Sequence, residues 1–238
     1  MTDDCVALRS VTYAHPGDLE GFFFDVAFET GKITAVMGAS GGGKSTLLNL
    51  LAGFLRPDGG EIFVDGENVT ATHPMHRPMS MIFQDHNLFA HLTVAQNVGL
   101  GIDPNLKLDS AARQMVTSAL HSVGLDGFAE RQPPTLSGGE KQRVALARML
   151  VRDRPILLMD EALASLGPGL RKSILQLVRQ LQQVKKLTVI MVTHNPEDAR
   201  LVGDNAVFLA DRRVVFHGPA REILSAPTDP RISAYLGY

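Results

Sequence analysis

Cysteine occurs once in the 238 residues, at Cys5, so the chain can form no internal disulfide. That scarcity fits a reducing compartment and leaves stability to a packed core. Charge of one sign is lacking too. The 23 Lys and Arg nearly balance the 25 Asp and Glu, for a formal net charge of -2. Such a balance offers no general attraction to nucleic acid, whose binders are usually strongly basic. Long apolar runs are missing. Runs such as Ile156–Met159 and Val189–Val192 fall far short of the roughly 20 residues a spanning helix needs. The opening Met1-Thr2-Asp3-Asp4 is acidic, not a basic stretch leading into an apolar one, so no signal peptide is expected. Internal repeats and low-complexity segments are also absent from the sequence. Together these absences predict a soluble protein, or one that at most rests against a membrane. The 45% hydrophobic and 20% charged content predicts a well-packed globular fold.

Periodicity divides the chain into regions. Ala7–Tyr13 and Phe22–Glu29 read as strands around the turn-rich His15-Pro16-Gly17-Asp18. Ile33–Met37 is a short apolar strand running into glycines, and Thr46–Phe54 has helical character until Arg56-Pro57-Asp58-Gly59-Gly60. Glu61–Val64 and Asp65-Gly66 read as a strand and turn. From Asn87 to Arg152 the pattern is mostly helical, predicting an inserted helical lobe. Within it, Asp109 or Ser110 caps a helix with the stripe Met115, Val116, Ala119, Leu120 and Val123. Ile156–Met159 and Thr188–Thr193 are short buried strands. Between them Leu170, Ile174, Leu177, Val178, Leu181 and Val184 recur at helical spacing, which predicts a parallel βαβ unit. Val207–Ala210 and Val214–His217 read as a closing hairpin around Asp211-Arg212.

Gly38-Ala39-Ser40-Gly41-Gly42-Gly43-Lys44-Ser45-Thr46 matches G-x-x-x-x-G-K-[ST] between an apolar strand and a helix, the context that gives the motif meaning. Glycines let backbone N–H groups curl around phosphate oxygens, and the helix start adds positive field. Lys44 places a point charge on the outer phosphates, and the Ser45 hydroxyl is suited to ligate Mg²⁺. Asp160 and Glu161 end a buried strand, where ligands of open parallel sheets sit. Asp160 is expected to hold Mg²⁺ through water, and Glu161 to take a proton from, or orient, an attacking water.

A third element, Leu136-Ser137-Gly138-Gly139-Glu140-Lys141-Gln142-Arg143, offers a hydroxyl and two glycines at another helix start. One nucleotide rarely needs two phosphate sites in one chain, so a dimer is expected in which this element closes over the γ-phosphate held by the other copy. With the phosphate loop, this segment identifies the chain as resembling the nucleotide-binding subunits of ABC transporters over essentially its whole length. The resemblance implies an α/β P-loop NTPase core with a mainly parallel sheet, an N-terminal antiparallel β part and an inserted helical subdomain. The expected division is a single domain, with residues 1–86 and 153–238 as core and 87–152 as helical lobe. It further implies that Tyr13 stacks on adenine, with a strand-core tyrosine as the alternative. Gln84 is implied to touch Mg²⁺ and water and to connect to the membrane partner. His194, structural as a lone histidine, is implied to sense the γ-phosphate, and Ser137, Gly138 and Gly139 to act across the dimer.

The implied cofactors are ATP and Mg²⁺. The implied partners are membrane permease subunits, a second copy of the chain and, indirectly, a periplasmic solute-binding protein, at the cytoplasmic face of a bacterial inner membrane. The stretches 77–84, 87–101 and 106–108 resemble the ATP-binding subunits of bacterial thiamine importers, though importers of iron, sulfate or polyamines share much of that wording. A soluble ABC ATPase or a non-hydrolysing regulatory module are the rival classes. The first usually carries a coiled-coil insertion or tandem nucleotide domains, and the second sits poorly with Glu161 and His194. The chain departs from the family after Glu161. Ala162 stands for the usual proline, Ala164-Ser165 for Ser-Ala, and Gly167 for an aspartate that joins the two nucleotide sites. Slower or less cooperative hydrolysis is expected from that loss. His73, His76, His86 and His91 are expected to form a polar surface near the permease, Phe22-Phe23-Phe24 to lie in strand core, and Lys185-Lys186 to end a helix.

Overall fold

The computed structural model describes residues 4–83, 87–225 and 227–237. In chain order the strands are β1 (Asp4–Tyr13), β2 (Phe22–Glu29), β3 (Ile33–Gly38), β4 (Gly59–Val64), β5 (Glu67–Asn68), β6 (Met79–Ile82), β7 (Ile156–Asp160), β8 (Thr188–Val192), β9 (Asn205–Ala210) and β10 (Arg213–Pro219). The helices are α1 (Lys44–Ala52), α2 (Val94–Gly99), α3 (Ser110–Ser122), α4 (Gly138–Arg152), α5 (Pro168–Lys185), α6 (Pro196–Val202), α7 (Ala220–Ser225) and α8 (Pro230–Leu236). The strands join in one sheet, ordered β5-β4-β1-β2-β10-β9-β3-β8-β7-β6.

The sheet has two characters. From β9 through β3, β8 and β7 to β6 every pairing is parallel. All six residues of β3 and all five of β8 are buried, because helices cover both faces. That is why these segments read as unbroken apolar runs. From β5 to β2 the pairings are antiparallel, and β2 alternates. Phe22, Phe24, Val26 and Phe28 point inward while Phe23 is 43% exposed, so only two of the three consecutive phenylalanines are core. Burying rings such as Phe24 and Phe28 stabilises by about 2 kcal/mol each. The closing hairpin β9–β10 lies between the two halves and meets β2 through the single parallel rung Arg213↔Phe23.

Residues 94–152 hold α2, α3 and α4. Asp109 is the cap of α3, its carboxylate accepting from the Ala112 amide. Val116, Ala119 and Leu120 are buried as the stripe predicts, but Met115 is 46% exposed. The long helix α5 behaves alike. Ile174, Leu177, Val178 and Leu181 are buried, whereas Val184 near its end is 79% exposed and Leu170 in its first turn is partly exposed. At eighteen residues, α5 is about 27 Å long, well past the roughly 16 Å of the five-residue strands beside it. Its ends therefore overhang the sheet.

The topology makes one edge chemically useful. Val36 of β3 is level with Val192 of β8, which is level with Asp160 of β7. The three strands therefore end together, and the segments that follow them start from the same edge of the sheet.

Candidate active site

β3 runs out at Gly38, and the chain curls into α1 through Gly38, Gly41 and Gly43, all at positive φ. Two of these glycines are required by space as well as by φ. A Cβ on Gly38 would meet the Leu209 carbonyl oxygen at 2.2 Å, and one on Gly43 would meet the Phe22 ring at 2.6 Å. Gly43 caps α1 without a side chain, and the first turn holds no acid, so no side chain of α1 itself compensates its positive end. Lys44 is 8% exposed, and its ammonium donates to the carbonyls of Gly38 at 2.9 Å and Ala39 at 3.0 Å. Burial lowers its pKa, with the charges of Glu161 and Asp160 pulling the other way.

The Ser45 hydroxyl donates to Asp160 Oδ1 at 3.1 Å, which ties the phosphate loop to the end of β7. Burial raises the Asp160 pKa; Glu161 adds to the rise, while Ser45 and Lys44 oppose it. Glu161 takes up the left-handed φ of 45° immediately after the strand. A non-glycine residue in this region carries backbone strain, a common property of functional positions. Its Oε2 lies 3.7 Å from Nδ1 of His194, which follows β8. Lys44, Ser45, Asp160, Glu161 and His194 are thus linked residue to residue at one end of the sheet, together with the loop residues Ala39, Ser40 and Gly42.

Tyr13 ends β1 and reaches this group through a neighbour. Its hydroxyl is 3.3 Å from Nδ1 of His15, whose Nε2 is 3.3 Å from the Thr46 hydroxyl. Gln84 and His86 lie outside the described residues. Ser137, Gly138 and Gly139 start α4 elsewhere. Ser137 and Glu140 form a reciprocal capping box, and among the described residues no side-chain hydrogen bond joins them to the phosphate loop. Gly139 packs on Leu170 and Gly138 on Leu166, so the turn leans on the segment around Gly167. Gly167 itself begins α5 as a cap with no side-chain bond. Of the remaining histidines, His73 caps a short 3₁₀ turn by accepting from the Met75 amide, with its ring 6.2 Å from that of His76.

Several site neighbours carry no motif. Arg171 of α5 grips Asp198 of α6 through Nε at 2.7 Å and Nη2 at 2.6 Å, and Thr193 donates to the same carboxylate at 2.5 Å. Asp198 is 2% exposed, so this pairing is buried. Arg77 is 1% exposed and donates to the carbonyls of Leu50 and Leu51 at the end of α1, which has no basic residue of its own there. Burial pulls its pKa down to about 10. Tyr235 of α8 donates to the His194 carbonyl at 2.9 Å. Arg171 and Asp198 lie 27 residues apart and Tyr235 and His194 lie 41 apart, and no spacing rule joins them.

Residues 24–164 match the ABC transporter family. The thiamine import ATP-binding protein ThiQ of Brucella suis is 52% identical over 214 residues, covering 90% of this chain and 89% of that protein. ThiQ of Photobacterium profundum is 44% identical, covering 95% and 96%. Among solved structures, CbiO1 of Clostridium perfringens, part of the ABC transporter complex CbiONQ, superposes with a TM-score of 0.84 at 28% identity, covering 99% of this chain and 96% of that one. A bacterial ABC transporter cassette solved as a dimer gives 0.77 at 29% identity, covering 91% and 99%. The chain belongs to the ABC transporter family of ATP-binding cassettes.

Proposed function

We propose that this chain hydrolyses ATP to power thiamine uptake through a separate membrane permease. The observation that carries the ATPase reading is the convergence of Lys44, Ser45, Asp160, Glu161 and His194 where β3, β7 and β8 end together. The likeness to thiamine import ATP-binding proteins supports the solute. No helix among the described residues is long and apolar enough to cross a membrane, so a separate permease supplies the path.

In this reading the amides of residues 38–46 and the Lys44 ammonium hold the β- and γ-phosphates, and Tyr13 lies against adenine. The Ser45 hydroxyl and the Asp160 carboxylate are hard oxygen donors already drawn together, which fits Mg²⁺, with Gln84 as a third contributor. When bound, the ion offsets phosphate charge and holds the chain of phosphates for in-line attack. Glu161 orients a water molecule and accepts its proton. The water oxygen bonds to the γ-phosphorus as the bond to the bridging oxygen breaks, and ADP departs with that electron pair. His194 contacts the γ-phosphate, while Ser137, Gly138 and Gly139 approach it from a second copy. Dimer closing and opening passes to the permease. A groove of 570 Å³ with Phe54, Met75, Phe83 and Arg152 on its walls lies beside β6 and suits a permease helix. The chain works peripherally at the cytoplasmic face of the inner membrane, with a periplasmic solute-binding protein as an indirect partner and without nucleic acid.

Labelled thiamine uptake in the native cell, with and without the gene, tests the reading. Uptake lost on deletion, restored by wild type and not by Lys44→Ala, is the expected result. Unchanged uptake on deletion removes thiamine and turns the search to iron, polyamines or another small solute.

A further inference from the structure

The loop after β8 is held from two sides, and only one of them lies among the sequence motifs' near neighbours. On the first side stands the buried trio of Arg171, Asp198 and Thr193. The Thr193 hydroxyl donates to Asp198 at 2.5 Å and accepts from the Asn195 amide at 3.0 Å, so the residues flanking His194 are fixed to α5 and α6. On the second side stands Tyr235. Its hydroxyl donates to the carbonyl oxygen of His194 at 2.9 Å. Burial raises its pKa. One phenol therefore ties the backbone of His194 to α8.

The platform for this phenol is well fastened. Ile232 of α8 is 2% exposed in a cluster with Met37 of β3 and Phe208 of β9. The Tyr235 ring meets the Phe208 ring edge-on with centroids 5.1 Å apart. Asp229 caps α8, and Arg231 pairs with Asp229 and with Asp211 in the β9–β10 turn, each at 2.6 Å. The ring packing belongs to fold stability. The hydroxyl adds nothing to that packing and is aimed at the active-site edge.

We propose that Tyr235 is a positioning residue for ATP hydrolysis, its hydroxyl holding the His194 backbone against α8 so that the imidazole meets the γ-phosphate. The inference rests on the reading of His194 as the γ-phosphate contact. It also gives the last helix of the chain a part in turnover, beyond covering the sheet. The side chain acts through His194 and touches no reacting atom, so its loss should reach turnover and leave ground-state binding alone.

The test is phosphate release by the purified full-length chain as wild type, Tyr235→Phe, His194→Ala and the double variant, with ATP affinity and melting temperature measured on each. Tyr235→Phe keeps the ring against Phe208, so folding is preserved. The expected result is a kcat lowered roughly three- to tenfold, with ATP affinity unchanged within about twofold and no further loss when the change is added to His194→Ala. Wild-type kcat in Tyr235→Phe, alongside a clear loss in His194→Ala, overturns the proposal alone. A loss of the same factor in the His194→Ala background overturns it too, because it marks a structural effect independent of the histidine. Full turnover by His194→Ala removes the assignment of His194 and the proposal with it.

Discussion

The phosphate loop and the Ser137 turn are both glycine-rich helix starts, yet they differ in what they leave unsatisfied. The loop ends in Gly43, which caps α1 with no side chain and no acid nearby in the first turn. Its N–H groups and positive helix end are open to an anion, and Lys44 is held ready by two carbonyls. The Ser137 turn closes on itself. The Ser137 amide and hydroxyl both donate to Glu140 Oε2, at 2.6 Å and 2.8 Å. These bonds hold the Glu140 pKa low, and the negative charge compensates the start of α4. The phosphate loop is therefore open to an anion within a single chain, while the Ser137 turn is satisfied internally until a competing acceptor arrives. That difference suits the proposed nucleotide-gated dimer, in which the turn would contribute little before two copies meet.

The comparison can be broken in steps. The largest effect belongs to the complete half. Glu161→Gln keeps shape and binding but loses the proton acceptor, so turnover should fall roughly 100-fold with ATP affinity intact, as phosphate release and equilibrium binding will report. Undiminished turnover refutes the role given to Glu161. For the self-satisfied half, Ser137→Ala removes one donor to the γ-phosphate. A fall of about tenfold in turnover is expected, with ATP affinity of the single chain unchanged. Mixing Ser137→Ala with Lys44→Ala sharpens this. Mixed dimers hold one site with both intact groups, so the mixture should exceed either variant alone. No gain on mixing would show that the turn serves its own chain.

A smaller effect is expected at Gly167, beside the leucine contacts of the signature glycines. Gly167→Asp restores an acid at an uncapped helix start, and a rise of about two- to fivefold in turnover or a steeper Hill slope is expected. No change in either would detach the slow-coupling idea from this residue. The smallest effect is on stability. The Asp160 carboxylate is raised above its ordinary 3.8 by burial, so the stability it contributes is present below the unfolded value and is lost as pH rises through the folded one. Asp160→Asn should therefore melt higher by up to about 2 °C at pH 7, a gain that shrinks toward pH 3, while hydrolysis is lost. A lower melting temperature at pH 7 would show that the bond from Ser45 and the charge of Lys44 outweigh burial.

Much of the site was legible because its chemistry is local. The phosphate loop is nine consecutive residues, and Asp160-Glu161 and Thr193-His194 each follow an apolar strand that announces itself. Parallel strands buried on both faces lose alternation, so the runs at 33–37, 156–159 and 188–193 mark them directly. Helix limits were less legible. Met115, Leu170 and Val184 fit their stripes by spacing but stand partly or largely in solvent, since a stripe does not say where the covering surface ends. The same holds for Phe23, whose two neighbours are buried.

The sequence by itself determined the nucleotide class and the family, because a loop that wraps phosphate is specified by short-range backbone needs that glycine, lysine and serine meet in a row. The tertiary structure alone decided that Arg171, Asp198 and Thr193 clamp the loop of His194, that Arg77 closes the end of α1, and that Tyr235 of α8 reaches the His194 backbone. Those contacts join residues far apart along the chain, and their partners are often backbone carbonyls, which look alike in every residue. No pattern of side chains along the chain could encode them. They exist because β3, β8 and β9 lie side by side in the sheet and carry their loops and helices to a common edge.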